Sequence, residues 1–196
     1  MADFLFANTM KYILAKKLGM TTIYDADKGA VNVTLLSCAP NTVSLVRTPE
    51  RDGYAAVQVS ASGAGRTTTC KEFRMDDTKE YAPEQTIDVS VFAEGDKVKI
   101  SGMAKAKGFQ GVVKRHGFAG SPKTHGHKHD LRAPGSIGSS FPEHVFKGRR
   151  MAGRMGGRRS TVSGLKVALV DTEKQLMAVK GAVPGKIGTI VEVVSE

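Results

Sequence analysis

The chain has 196 residues, of which 29 are lysine or arginine and 19 are aspartate or glutamate, so its formal net charge is +10. Two cysteines, Cys38 and Cys70, cannot build a disulfide scaffold, and no apolar run approaches the ~20 residues that cross a bilayer. Residues 1–17 have neither the basic start of a secretory signal nor the arginine-rich pattern of a transit peptide. We therefore expect a cytoplasmic protein with one domain and an appendage, or with two very small domains.

Apolar residues recur at short spacing along much of the chain, and mostly alternate with polar ones, as in β-strands with one buried face. The pattern predicts strands over 31–35, 43–46, 55–59, 87–91 and 97–101. It also predicts a hairpin from 165–169 and 176–179, and a last strand over 189–193. Short helical turns are expected over 1–17 and 70–81. Many short strands from both ends of the chain favour a small closed β-barrel, which leaves no strand edge exposed.

Charge is concentrated in one segment between these strands. Residues 97–161 hold fifteen lysines and arginines but only two acidic residues, Asp130 and Glu143, for a net charge of +13. The remainder holds 14 basic and 17 acidic residues. The same segment carries all five histidines and twelve of the 22 glycines. Such asymmetry indicates a polyanionic partner.

The middle of this segment shows neither helical nor strand periodicity, and it is far longer than ordinary connections within a domain. Its apolar residues are too sparse to order it alone. It is either a disordered loop or an extension ordered by what it binds. We favour an extension that folds against RNA, its charge neutralised by phosphate.

The basic side chains of the segment are the candidate phosphate ligands, and its aromatic rings are candidates for base or sugar contacts. The predicted phosphate contacts are Lys105, Lys107, Lys114, Arg115, Lys128, Arg132, Lys147, Arg149, Arg150, Arg154, Arg158 and Arg159. The predicted base or sugar contacts are His125, His127 and Phe141.

Three alternating histidines allow a different hypothesis. On an extended strand, His125, His127 and His129 would share one face, as the ligands of a three-histidine zinc site do. Lys123 and Lys128 would repel a cation there, so contacts of imidazole with bases, phosphate or 2′-hydroxyl groups fit the surroundings better. We expect no metal and no other cofactor.

Other sequence motifs that could indicate an enzyme do not match the required patterns. Residues 181–186 resemble a phosphate-binding loop, but the glycine spacing is one residue short, and Ile187 stands where serine or threonine is required. Cys38 lies in a strand-like run typical of a buried thiol, and Cys70 has no partner typical of a nucleophile. A module for DNA or for an anionic membrane is also disfavoured, because the segment lacks a groove-reading or amphipathic helix. We expect no membrane partner and no small-molecule substrate.

Six stretches resemble, in the same order, the bacterial form of large-subunit ribosomal protein three. They are KKLGMT at 16–21, DGYAAVQV at 52–59, KAKGFQGVVKR at 105–115, RAPGSIG at 132–138, KGRRMAG at 147–153 and VKGAVPG at 179–185.

This resemblance implies a mainly β protein with a closed six-stranded barrel like that of translation-factor β-domains, formed by 12–101 and 162–196. It implies a basic, glycine-rich loop over 102–161 that penetrates the large-subunit (23S) rRNA, and an extension of unknown role over 1–11. It also implies a structural, non-catalytic role, with binding near the 3′ end of the rRNA, support of early subunit assembly and a loop tip near the peptidyl-transferase centre. The implied neighbours are large-subunit proteins fourteen and nineteen. Where many relatives carry a methylated glutamine this chain has Arg154, so that modification is not expected.

Overall fold

The computed structural model describes residues 11–25, 29–62, 68–75 and 81–196, and most regular structure in these ranges is β. The strands are β1 (Tyr12–Asp25), β2 (Gly29–Ser37), β3 (Asn41–Arg47), β4 (Ala56–Ser62), β5 (Thr68–Arg74), β6 (Thr86–Ile87), β7 (Lys97–Met103), β8 (Phe109–Gln110), β9 (Gly153–Arg154), β10 (Arg159–Asp171), β11 (Leu176–Lys180) and β12 (Ile190–Ser195). The helices are α1 (Pro49–Asp52), α2 (Val112–His116) and a 3₁₀ turn (Val89–Val91). No helix in the described ranges is long and apolar enough to cross a membrane. The mainly β prediction is confirmed.

Six strands pair in a closed cycle of antiparallel neighbours, in the order β1, β12, β7, β10, β11 and β2, with β2 pairing back onto β1. Each strand of this ring has a neighbour on both sides, so its backbone groups are satisfied within the sheet. Buried apolar side chains from all six strands form one cluster, which includes Ile13, Leu36, Ile100, Met177 and Val191.

A second sheet contains β5, β4, β3 and β6 in that order. Its apolar face forms a second cluster together with Tyr12 and Leu14 of β1, while Ile13 and Ala15 of the same strand belong to the ring cluster. Successive side chains of a strand point to opposite faces. Strand β1 therefore separates two cores, and the ring of Tyr12 stacks on Phe73 of β5 with centroids 4.5 Å apart.

The predicted strands over 43–46, 55–59, 97–101, 176–179 and 189–193 correspond to β3, β4, β7, β11 and β12. Strand β2 is also where it was predicted, and Val33 is fully buried as the alternation indicated. Leu36 of β2 and Cys38, which follows the strand, belong to the ring cluster. In β10 the register shifts between Val167 and Leu169, and this irregularity leaves Leu169 45% exposed.

Two local predictions were wrong. The helical turns expected within 1–17 and 70–81 are strand over 12–17 and 70–74, while residues 1–10 and 76–80 lie outside the described residues. The strand expected over 87–91 ends at Ile87 and continues as the 3₁₀ turn. In the first case the run Tyr12–Ala15 lacks alternation because both faces of β1 are buried, so the strand period is hidden.

The chain divides into two compact units. One, here called the body, contains the described residues up to Ala104 together with Arg159–Glu196; the other, here called the basic loop, is Lys105–Arg158. The paired strands β7 and β10 extend into both ends of the predicted loop 102–161. Ser160 pairs with Gly102, and Arg159 pairs with Met103. The ends of the predicted segment 102–161 thus belong to β7 and β10 of the ring.

Candidate nucleic-acid interface

The two arms of the basic loop are joined by a short backbone ladder. Strands β8 and β9 pair, the N–H of Lys107 donates to the carbonyl of Met155 (2.9 Å), and the N–H of Met155 donates to the carbonyl of Gly108 (2.9 Å). Gly156 has a φ of +70°, and a Cβ there would lie 2.1 Å from the carbonyl oxygen of Lys105. Only glycine permits this approach. Gly156 therefore allows the two arms to lie in close contact at the base of the loop.

Beyond the ladder, the short helix α2 places a cluster of basic residues beside the returning arm. Lys114, Arg115 and His116 occupy its last turn. The Arg115 guanidinium donates from Nη1 to the carbonyl of Met151 (2.6 Å), and His116 Nε2 lies 3.1 Å from the same oxygen. Arg115 therefore braces the loop as well as carrying charge.

Apolar packing contributes little to the basic loop. Val112 is the only buried apolar residue of Lys105–Arg158, all of which the structure describes, and this agrees with the expectation that the apolar residues are too sparse to form a core. Phe109, Phe141 and Phe146 are 76%, 80% and 65% exposed. Exposed aromatic rings among cations suit stacking on nucleobases.

The charges of the basic loop are not neutralised from within. Lys105–Arg158 contains twelve lysines and arginines and two acidic residues, and none of these cations forms an ion pair with any part of the chain that the structure describes. In the body, by contrast, Arg47 pairs with Asp52 and Glu72, both at 2.8 Å. The hydrogen bond from Arg47 is the main cause that lowers the pKa of Glu72. The charges of the loop thus remain without a carboxylate partner in the described residues, although Arg115 and Arg149 also donate to backbone carbonyls.

Most of the predicted contact residues lie on the surface. Arg115 and His127 are half-buried, and the exposed residues are Lys105, Lys107, Lys114, His125, Lys128, Arg132, Phe141, Lys147, Arg149, Arg150, Arg154, Arg158 and Arg159. Two of these exposed residues are already engaged. Arg149 donates from Nη2 to the carbonyl of Ser136 (2.6 Å), and Arg159 belongs to β10 of the body, where it pairs with Glu192.

Arg149 donates to a backbone carbonyl and its neighbour Arg150 donates to none in the described residues, so the two residues are expected to respond differently to substitution. Arg150→Ala should lower the slope of log affinity for rRNA against log salt by about one, because one phosphate contact is lost. Arg149→Ala should additionally raise protease cleavage near Ser136, because the hydrogen bond to that carbonyl is lost. Filter binding across a salt series and limited proteolysis of both variants measure this. Identical cleavage patterns would contradict the bracing role of Arg149.

The three histidines do not share a strand face. His125 has a φ of +61° and is followed by Gly126 with a φ of +80°, so the backbone turns where the zinc hypothesis required extended strand. The described residues contain no group of three histidine, cysteine, aspartate or glutamate side chains placed to hold a metal. The geometric premise of the three-histidine zinc site is therefore wrong.

The stretch at 181–186 also has a different role from a phosphate loop. Its carbonyl groups point at a lysine: Nζ of the buried Lys17 donates to the carbonyls of Val183 (2.6 Å) and Gly185 (3.2 Å). A turn that directs carbonyls at an ammonium group is the opposite of an anion cradle. Cys38 is buried as expected, and burial raises the pKa of its thiol to about 12, so it is not a nucleophile.

Sequence reasoning missed a row of lysines on the body. Lys97 and Lys166 are direct cross-strand partners in β7 and β10. Lys180 follows Val179, the partner of Val167, and lines the same surface depression as Lys166. None of the three forms an ion pair within the described ranges. Like charges placed opposite each other are unfavourable unless an anion joins them. The alternation of Lys97 with Val98 was visible in the sequence, but the cross-strand register was not.

Comparison with known proteins identifies the family of this chain. Residues 59–181 match the model of the family described as Ribosomal protein L3. The chain belongs to this family. Its members are structural constituents of the large ribosomal subunit and not enzymes, so the predicted resemblance and the predicted lack of catalytic activity are confirmed.

Relatives of the L3 family cover nearly the whole chain. Proteins named large ribosomal subunit protein uL3 are 45% identical in Leifsonia xyli subsp. xyli, over 93% of this chain and 93% of the relative, and 46% identical in Mycobacterium tuberculosis, over 93% and 94%. The corresponding protein of Chloroherpeton thalassium is 43% identical over 95% of this chain and 99% of its own length. As a bacterial L3-family member, the chain is a cytoplasmic component of the ribosome, as expected.

Proposed function

We propose that this L3-family protein binds the large-subunit (23S) rRNA directly, and that the basic loop is the principal contact. The observation that carries the proposal is the set of twelve cations in Lys105–Arg158, none paired with a carboxylate in the described part of the chain. Unpaired cations gain most from phosphate, because each neutralised phosphate releases counterions.

The backbone of the basic loop favours folded RNA over duplex DNA. Helix α2 has five residues, and β8 and β9 have two each. These elements are too short to lie along a major groove as recognition helices or ribbons do. An irregular backbone with exposed phenylalanine rings fits the uneven spaces between RNA helices, where bases are unstacked.

The body supplies the second part of the proposal. We take the six-stranded ring to be a closed barrel of the translation-factor type, with the lysine row of Lys97, Lys166 and Lys180 set against phosphate. Family resemblance supports binding near the 3′ end of the rRNA and a role in early subunit assembly. It also supports an approach of the loop tip to the peptidyl-transferase centre, where the RNA performs the chemistry, and large-subunit proteins fourteen and nineteen as neighbours.

A stringent wash of ribosomal subunits tests direct insertion into rRNA. In ~1 M salt the Debye length is about 3 Å, so proteins held only by exposed ionic contacts are released. We expect the chain to remain with large subunits after this wash, because a loop enclosed by RNA is shielded from the salt. Immunoblotting of gradient fractions measures the retained fraction. Quantitative release together with a flat salt dependence on isolated rRNA would contradict the proposal.

A further inference from the structure

A depression of about 440 Å³, open to solvent and here called the cavity, lies on the surface of the basic loop and is lined by residues from Phe118 to Gly135. This volume falls in the range of ~300–1,000 Å³ typical of small-ligand sites. Phe118 and Pro134 contribute apolar surface, and Ser121, His127 and Asp130 contribute polar groups. Apolar surface beside a few polar groups is the usual composition of a binding site.

The walls of this cavity are set by the backbone. The N–H of Ser121 lies 3.3 Å from the carbonyl of Leu131, and the N–H of Ala133 donates to the carbonyl of Asp130 (3.2 Å). Gly120 has a φ of +73°, and a Cβ there would lie 2.3 Å from the Leu131 oxygen. Only glycine fits this crossing, so the two segments that line the cavity meet without an intervening side chain.

The acidic residue of the cavity is out of place for phosphate binding. Asp130 is one of two carboxylates among twelve cations in the basic loop, and it forms no ion pair with the described residues. An ionised carboxylate only accepts hydrogen bonds, and it repels phosphate. A partner for Asp130 in RNA would therefore be a hydrogen-bond donor. The ribose offers single 2′-hydroxyl donors, whereas pairs of donors side by side are found on the bases.

Guanine matches these groups most completely. Its N1–H and N2–H groups lie side by side on the Watson–Crick edge and can both reach one carboxylate, as parallel donors do in bidentate pairs. The Ser121 hydroxyl and the His127 ring can supply a donor for the guanine O6. Phe118 and Pro134 offer apolar surface to the faces of the base.

We propose that this cavity captures an unstacked guanine of the rRNA, with Asp130 as the residue that selects it. The inference rests on the proposed function, since it assumes that the basic loop contacts rRNA. It adds that the loop reads one base as well as binding the backbone.

Chemical probing of assembled large subunits tests the proposal. Kethoxal modifies guanine at N1 and N2, the groups that Asp130 would cover. Subunits carrying Asp130→Asn should show one guanine whose modification rises at least about fivefold, as expected for the loss of a bidentate contact. The matched control is Glu143→Gln, which removes the other carboxylate of the basic loop and should leave that guanine protected. An unchanged guanine pattern in Asp130→Asn subunits would overturn the proposal.

A second measurement does not depend on subunit assembly. The full-length chain is titrated with short adenosine-rich RNAs that contain a single guanosine or a single inosine, which lacks the 2-amino group. The wild-type chain should favour guanosine by about fivefold, and Asp130→Asn should not discriminate. Equal affinities for the wild-type chain overturn guanine capture. The salt dependence of rRNA binding by the same chain reports separately on the proposed function: a steep slope with no discrimination rejects guanine capture alone.

Discussion

Replacing Lys107, Lys114 and Arg150 together by glutamine should lower the slope of log affinity for rRNA against log salt by about 2–3, since each lost phosphate contact removes about 0.7–0.9. All three side chains are exposed and lack an ion-pair partner in the described residues. The fold should be unaffected, because none of the three is buried. Filter binding of full-length protein to large-subunit rRNA across a salt series measures the slope.

The matched control for this triple variant removes three positive charges from the body. Arg51, Lys174 and Lys186 are also exposed, and their replacement by glutamine changes the net charge by the same amount. We expect the slope to stay close to the wild-type value. An equal fall in both variants would show that affinity follows net charge, and it would argue against the basic loop as the principal contact.

The second large effect concerns stability. Lys17→Met should lower the free energy of unfolding by about 2–4 kcal/mol, because buried carbonyls left without a donor cost about 1–3 kcal/mol each. The carbonyls concerned belong to Val183 and Gly185, which receive hydrogen bonds from the Lys17 ammonium at 2.6 and 3.2 Å. Methionine is unbranched and has about the length of the aliphatic part of lysine, so the change removes the ammonium with little change in packing. Urea unfolding followed by circular dichroism measures the difference.

Lys16→Met is the control for Lys17→Met. Lys16 is the preceding residue of the same strand and is only half-buried. Its replacement should change stability by no more than about 0.5 kcal/mol, as is usual for surface positions. If Lys17→Met proves as stable as Lys16→Met, the ammonium is not what holds the turn at 181–188 against β1.

The local sequence pattern was sufficient to predict most strands of the body, and β7 shows why. Val98 and Ile100 are fully buried while Lys97 and Lys99 are exposed. The alternation of apolar and charged residues therefore matches the alternation of buried and exposed positions. In β1 the four residues Tyr12–Ala15 are all buried. A strand between two cores has no polar face, and its sequence therefore carries no period of two.

The charge of the basic loop was likewise evident from composition, but the state of each cation was not. Arg149 and Arg159 look like their neighbours in the sequence, yet one is bound to the carbonyl of Ser136 and the other to Glu192. These partners are 13 and 33 residues away along the chain. No local pattern could identify them.

The amino-acid sequence alone determined that the protein is mainly β, that a strongly cationic, glycine-rich segment interrupts it, and that it resembles large-subunit ribosomal protein three. These properties follow from residue types and their local order. Tertiary structure alone decided which strands close the ring, that Lys97 and Lys166 stand side by side, that Lys17 is enclosed by carbonyls, and that Asp130 lines a cavity. The physical reason is that each of these features depends on strand register or on chain crossings between distant residues, and neither is encoded in a local pattern.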